Sequence, residues 1–418
     1  MEQSSLVLSI AQSARRASRR MAALDPKAKD PILNAMADAL ELQAATIIQA
    51  NQRDLADGQT AGLSKAMLDR LMLNEQRIQA MANGLREIAL LPDPVGHVLE
   101  SWTRPNGLVI NKTAVPIGVL LVIYESRPNV TADAAGLCFK SSNAVILRGG
   151  SESLRSNQAI LNALVAGGGP LGLPEHAIQL VPTSDRNALY ELLAMPDCID
   201  LVIPRGGHGL IRAVAEHSKI PVLKHYNGVC HVYVDEAADL EMAKRIAVNA
   251  KCQRPGVCNA METLLVHEAI APDILPDLGQ LLLNQGVEIR GDERVRKLIS
   301  QAVPVTEEDW RTEYLDLILS VRVVPNLDAA IDHIEDYGSH HSDVIVTSNP
   351  NAAERFKRAI DSSTVYVNAS SRFTDGAEFG MGAEIGISTD KLHARGPVGI
   401  RELTTYKYIV EGTGQIRG

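Results

Sequence analysis

An α/β fold built from more than one domain is predicted by three features of this 418-residue chain. Short apolar runs rich in Val, Ile and Leu alternate with longer segments of helical periodicity, the pattern of parallel strands joined by crossover helices. A strand, Arg-Gly-Gly, helix pattern occurs twice, as AVILRGGSESL (144–154) and LVIPRGGHGLI (201–211). The length suits two or three domains, each large enough to bury its own core.

The elements follow in order. The N-terminal third reads helical: Asp30 can cap, Pro31 suits a first turn, and Ile32, Leu33, Met36, Leu40 and Ile47 share one face. Strands are expected at 119–123, 144–147, 178–181, 201–203, 232–234, 263–266, 344–346 and 364–367, and helices at 154–165, 186–193 and 240–249. The Gly- and Pro-rich stretch 167–174 reads as a loop between elements, and no low-complexity tract interrupts the chain.

Composition narrows the class. The net charge of −9 disfavours nucleic acid as a partner, so an anionic substrate must be met by local Arg and Lys. Five cysteines without paired spacing argue against a disulfide framework and for a reducing, cytoplasmic setting. The first 30 residues lack a signal-peptide core, and nowhere do 18 uncharged apolar residues run together, so no membrane association is expected.

Chemistry concentrates in NAKCQRPGVCNAMETLLV (249–266), where a helical stretch ends at a Pro-Gly turn and Cys258 precedes an apolar strand. A thiolate is nucleophilic and a thiol is not, and the thiolate is favoured by positive charge and backbone N–H groups, here Arg254, Lys251 and the turn itself. The alternative is that Cys258 is a small buried hydrophobe. Cys252, on the helical side, reads as structural. In both Arg-Gly-Gly copies the glycines open a helix, where N–H groups, the helix dipole and an Arg favour phosphate, so two copies could hold the parts of a dinucleotide; the plainer alternative is a pair of tight turns. No GxGxxG follows a predicted strand, the match GGGPLG (167–172) lying in the Gly- and Pro-rich loop after a helix, and no GxxxxGK[ST], HExxH or paired CxxC is present.

Several stretches together resemble one family: PIGVLLVIYESRPNVTAD (116–133), LRGGSE, HYNGVCHVYVD, the Cys258 segment, HARGPVGIREL (393–403) and above all VPNLDAAIDHIEDYGSHHSDVI (324–345). The chain resembles the gamma-glutamyl phosphate reductases (glutamate-5-semialdehyde dehydrogenases), a branch of the aldehyde dehydrogenase superfamily, over nearly its whole length. The resemblance implies an aldehyde dehydrogenase-like fold: a cofactor-binding α/β domain at 1–229 with an oligomerisation hairpin near 116–146, a catalytic α/β domain at 230–365, and a C-terminal return at 366–418 that joins the subunit interface. It implies NADPH-dependent reduction of L-glutamyl 5-phosphate to L-glutamate 5-semialdehyde in proline biosynthesis, in a homo-oligomer that a glutamate 5-kinase supplies.

Carried over by position, the resemblance makes Cys258 the nucleophile. It places Arg148, Gly149, Gly150, Glu152, Gly206, Gly207 and Glu313 at the cofactor, Glu313 holding the nicotinamide-side ribose. Asn129 is the candidate amide for the oxyanion. Arg127 and Arg254 are assigned to the phosphate or carboxylate of the substrate, because a guanidinium binds either in bidentate fashion. His340 and His341 are expected on the same anions, since no further ligands at metal spacing accompany them. Where oxidising relatives carry a Glu that activates water, this chain reads Lys224-His225-Tyr226-Asn227-Gly228. Three readings stay open beside this one: a thioester-forming dehydrogenase of different substrate, a thiol enzyme without redox chemistry, and a nucleotide-binding scaffold without turnover.

Overall fold

A computed structural model describes residues 2–417, with side chains from residue 5 onward. The chain divides into two compact units, one made of Met1–Lys224, Gly380–Gly386 and Val398–Gly418, the other of His225–Phe379 and Ile387–Pro397.

The first unit is built on a four-stranded parallel sheet in the order Ile178–Leu180, Ala144–Arg148, Val119–Tyr124, Leu201–Arg205. Val119–Tyr124 is buried along its whole length, as expected of a strand covered on both faces. The chain leaves this strand first to one side and later to the other, so the C-terminal ends of Val119–Tyr124 and Leu201–Arg205 form a topological switch point, where ligands of open α/β sheets bind. Both Arg-Gly-Gly copies end strands here and lead into the helices Leu154–Gly168 and His208–His217.

Five helices precede the sheet, Glu2–Ala22, Pro26–Leu42, Ala44–Thr60, Lys65–Leu71 and Glu75–Leu90. The expected start at Asp30-Pro31 is corrected to Pro26, because Asp25 supplies the cap, its carboxylate accepting the Lys27 N–H at 2.9 Å. Ile32, Leu33, Met36 and Leu40 are buried on one face as expected, but Ile47 belongs to the next helix, the chain breaking at Gln43.

The hairpin expected near 116–146 is also corrected. That region is a parallel strand–helix–strand unit, with Asn129–Lys140 as its helix, since a fully apolar strand cannot lie at an exposed edge. The antiparallel element lies just before it. Val98–Thr103 and Thr404–Glu411 flank Val109–Pro116 in a three-stranded sheet, which brings the C-terminal segment back to the first unit. Its outer strands expose Val98, Trp102, Tyr408 and Val410.

The second unit carries a seven-stranded parallel sheet in the order Val303–Pro304, Glu288–Gly291, Ile318–Val324, Met261–His267, Cys230–Val234, Ser342–Val346, Thr364–Val367. The predicted catalytic domain ended at 365, but this unit continues to Phe379, because Asn259 is enclosed by the segment after the last strand: the Ser371 hydroxyl donates to the Asn259 carbonyl at 2.7 Å and the Asn259 amide donates to the Thr374 carbonyl at 2.9 Å. All eight strands read from the sequence form. Of the strands not read, Glu288–Gly291 and Val98–Thr103 are short or exposed and lack an apolar run, whereas Ile318–Val324, largely buried in the middle of the sheet, is missing from the expected set although ILSVRVV carries one. Among the described residues no helix is long and apolar enough to cross a membrane.

Candidate functional site

In the second unit, Cys258 lies in the turn between the helix Leu240–Cys252 and the strand Met261–His267. The turn closes locally through the Ala260 N–H to the Val257 carbonyl at 3.1 Å, leaving Cys258 half-buried. Its backbone is pressed against Gly228: a Cβ at that position would stand 2.0 Å from the Cys258 carbonyl oxygen, so only glycine permits the approach. The Gly228 N–H donates to the Glu313 carboxylate, and burial pushes the Glu313 pKa up. Cys258, Gly228 and Glu313 are thus joined at the N-terminal edge of the seven-stranded sheet.

Beneath them is a buried ion pair that sequence reading missed. Lys251 Nζ meets Glu262 Oε2 at 2.6 Å, both side chains fully enclosed, one ending the helix before the Cys258 turn and the other opening the strand after it. The second Glu262 oxygen accepts the Leu315 N–H at 3.2 Å, and Leu315, two residues past Glu313, has a left-handed φ of 54°. Burial pushes the Glu262 pKa up against the pull of Lys251. Lys251→Met should therefore destabilise the protein by about 3–5 kcal/mol by stranding a carboxylate, while Lys251→Met with Glu262→Leu recovers most of that loss. Denaturant titration checks it; equal instability of the single and double variants would refute the account.

Two further residues frame the thiol. Cys230 is buried, its Sγ donating to the Cys258 carbonyl at 3.2 Å and lying 3.6 Å from His341 Nδ1. Arg372 donates from Nε to Gln253 Oε1 at 2.9 Å and from Nη1 to Asn259 Oδ1, spanning the turn from both ends. No local pattern marked Arg372, because it reaches Cys258 from the far side of the sheet's last strand. Arg254 is exposed, and no described residue accepts a hydrogen bond from it.

The expectation that His341 meets substrate anions is corrected. The ring is completely enclosed, and burial, with His225 nearby, pushes its pKa down to about 3, so it is neutral and faces the interior. The neighbouring His340 is half-buried with a left-handed φ of 57°. The same signature places Tyr337, Gly338 and Ser339 in a cavity of about 250 Å³ shared with Tyr226, Asn227 and Arg311. His225 has Nδ1 2.9 Å from the Ile387 carbonyl, which makes that nitrogen the protonated one.

The first unit carries the expected cofactor residues other than Glu313, at the C-terminal ends of its parallel strands. Arg148 donates from Nη2 to the Ser184 carbonyl at 3.1 Å, while its Nε is buried without a partner among the described residues. Gly149 has no room for a side chain, a Cβ there meeting Asn157 Nδ2 at 2.1 Å. Glu152 folds back over Gly150 and accepts from the Ser126 hydroxyl and, at 2.9 Å, the Ser126 N–H. Burial alone would raise its pKa, but these bonds hold it below the usual carboxylate range. The second copy differs from expectation: the Gly207 N–H already donates to Glu125 Oε2 at 2.9 Å, so a carboxylate occupies the donor proposed for phosphate. Arg127 is exposed in the turn after Val119–Tyr124. Asn129 opens the next helix and donates from Nδ2 to Asp133 Oδ2 at 3.0 Å.

Comparison with known proteins places this geometry. Residues 2–296 match the aldehyde dehydrogenase family. The chain is 58% identical to the gamma-glutamyl phosphate reductase of Moorella thermoacetica across 97% of each chain, and 55% identical to that of Geobacter metallireducens across 98% of each. The crystal structure of gamma-glutamyl phosphate reductase from Thermotoga maritima is similar, with a TM-score of 0.97 and 45% identity over 99% of this chain and 100% of that one. An acetylating aldehyde dehydrogenase from Geobacillus thermoglucosidasius, 16% identical over 100% of this chain and 98% of its own, shares the fold at a TM-score of 0.67.

Proposed function

The chain belongs to the aldehyde dehydrogenase family, and from that premise we propose that it reduces L-glutamyl 5-phosphate to L-glutamate 5-semialdehyde with release of phosphate, using Cys258 as nucleophile and NADPH as reductant. The reaction is the one its full-length relatives are named for. The observation that carries the reading is the setting of Cys258, a half-buried thiol in a turn bracketed by Arg254 and Arg372 and locked by Gly228.

Attack of the Cys258 thiolate on the acyl phosphate forms a C–S bond, and the tetrahedral adduct collapses as phosphate leaves with the C–O electron pair. Phosphate is a stable anion, so departure needs no general acid. The resulting thioester stays on Cys258, and NADPH, when held by the first unit's residues, would supply the hydride that reduces it. Return of the C–S pair to sulfur then frees the aldehyde and regenerates the thiolate. Negative charge on the former carbonyl oxygen calls for N–H donors near Cys258 and, in this proposal, the Asn129 amide. Arg127 and Arg254 are assigned to phosphate or carboxylate, with His340 beside them. Proline biosynthesis in the cytoplasm, supply of the acyl phosphate by a glutamate 5-kinase, and a homo-oligomer whose contact includes the exposed face of the three-stranded sheet complete the proposal.

The first unit's switch point fits a dinucleotide. An unpartnered Arg148 Nε beside a glycine that admits no Cβ is a site prepared for an anion at close range. Arg148, Gly149, Gly150 and Glu152 would hold the adenosine side, Gly206 and Gly207 would allow close approach at the second strand end, and Glu313 would take the other ribose. Glu152, kept ionised by Ser126, would repel a 2′-phosphate, but the Arg148 guanidinium at the same strand end would attract it, and NADPH is expected to bind more tightly than NADH. Arg148→Ala should weaken NADPH binding roughly tenfold or more with little effect on NADH. Fluorescence titration with both cofactors checks this, and equal losses for the two would remove Arg148 from reading the phosphate.

The function itself is tested in reverse, with glutamate semialdehyde, NADP and phosphate, following nicotinamide absorbance. No reduction of NADP would overturn the redox reading in favour of a thiol transferase or a non-catalytic binder.

A further inference from the structure

We propose that Arg372 is a positioning residue for the nucleophile, tying both ends of the Cys258 turn and supplying the positive charge that keeps its thiol ionised. The inference rests on the reading of Cys258 as nucleophile.

The argument begins with a deficit. Cys258 follows the C-terminus of the helix Leu240–Cys252, and that end carries the negative pole of the helix dipole, which opposes a thiolate. The groups around the thiol do not remedy this. Cys230 is a buried thiol whose pKa burial raises, His341 is neutral, and Glu262 and Glu313 are carboxyls. Lys251 is committed to Glu262. Among the described residues named around the turn, two further cations are Arg254 and Arg372, with Asp375 the acidic group facing Arg372.

Only Arg372 is fixed in place. Its hydrogen bonds to Gln253 and Asn259 grip the turn five residues before and one residue after the thiol, and Asn259 is held in turn by the Ser371 hydroxyl and the Thr374 carbonyl. Burial lowers the Arg372 pKa, as does Arg254 beside it, whereas Cys258 raises it, so the guanidinium lies within reach of both. A cation held by neutral amides keeps its charge available to a neighbour, unlike one neutralised in an ion pair.

The test is the pH dependence of Cys258 alkylation by iodoacetamide in the full-length protein without substrate or cofactor, read by peptide mass spectrometry. In Arg372→Gln, which keeps an amide donor but no charge, the midpoint should rise by about one pH unit, a roughly tenfold smaller thiolate fraction at neutral pH. Arg372→Lys should restore most of it. A purely structural role predicts no difference between the two variants, because Gln would substitute as well as Lys. An unchanged midpoint in Arg372→Gln, or a Lys variant as impaired as Gln, overturns the proposal. If Cys258 of the unsubstituted protein reacts no faster than Cys252, the nucleophile assignment itself fails, and turnover of the Cys258→Ala variant identifies that case independently.

Discussion

Replacing Cys258 by Ala should lower turnover by on the order of 10⁴-fold or more while leaving the fold and cofactor binding nearly intact. The loss is large because, in the proposed mechanism, the thiolate makes the covalent bond through which both half-reactions pass. The fold survives because the side chain is half-buried in a turn, and the turn is held by other groups: Gly228 against its backbone, Cys230 on its carbonyl, and Arg372 across its ends. Cys252→Ala provides the contrast. Cys252 is the last helical residue, packs at the margin of the core below the sheet, and has its pKa raised by burial, so its loss should change turnover no more than a few-fold. Steady-state kinetics with thermal melts of both variants decide the matter. An inactive Cys252→Ala beside an active Cys258→Ala would move the nucleophile six residues back.

The division between what could and could not be read from the sequence has a physical cause. Strands buried on both faces, such as Val119–Tyr124 and Cys230–Val234, announce themselves as apolar runs, and the Arg-Gly-Gly repeats mark the C-terminal ends of two others, Ala144–Arg148 and Leu201–Arg205. Cys258 was legible because a helix end, a Pro-Gly turn and a strand start crowd into 18 residues. The groups that set its environment were not, since each reaches it through tertiary structure. Arg372 comes from beyond the last strand, Gly228 from the start of another, and Glu262 is one carboxyl among 50 acidic residues until burial pairs it with Lys251. The two corrections at anion sites have the same origin. Glycines and a histidine pair suggest phosphate and charge, but Glu125 fills one donor and complete burial neutralises His341.

Oxidation of glutamate semialdehyde should depend on inorganic phosphate, and arsenate should replace it. In this direction the proposed thioester on Cys258 must be cleaved by an oxygen nucleophile. Hydrolysis requires a base that activates water; on the resemblance, His225 replaces the carboxylate that serves this purpose in oxidising relatives, and with its Nδ1 hydrogen on the Ile387 carbonyl only Nε2 could act on water. Phosphate needs no such base, because as a dianion it is already a nucleophile, and guanidinium groups can hold it against the thioester. Arg254, exposed with no protein acceptor among the described residues, is the leading candidate, and Arg127 is the second. Arg254→Ala should raise the phosphate concentration needed for half-maximal rate by roughly tenfold, the value of one charge-assisted contact, with a smaller effect on NADP affinity. The decisive measurement is the initial rate of NADP reduction against phosphate concentration, with glutamate assayed among the products. Rapid reduction in phosphate-free buffer accompanied by free glutamate would mean that His225 or another group does activate water, and the protein would then be a hydrolytic aldehyde dehydrogenase.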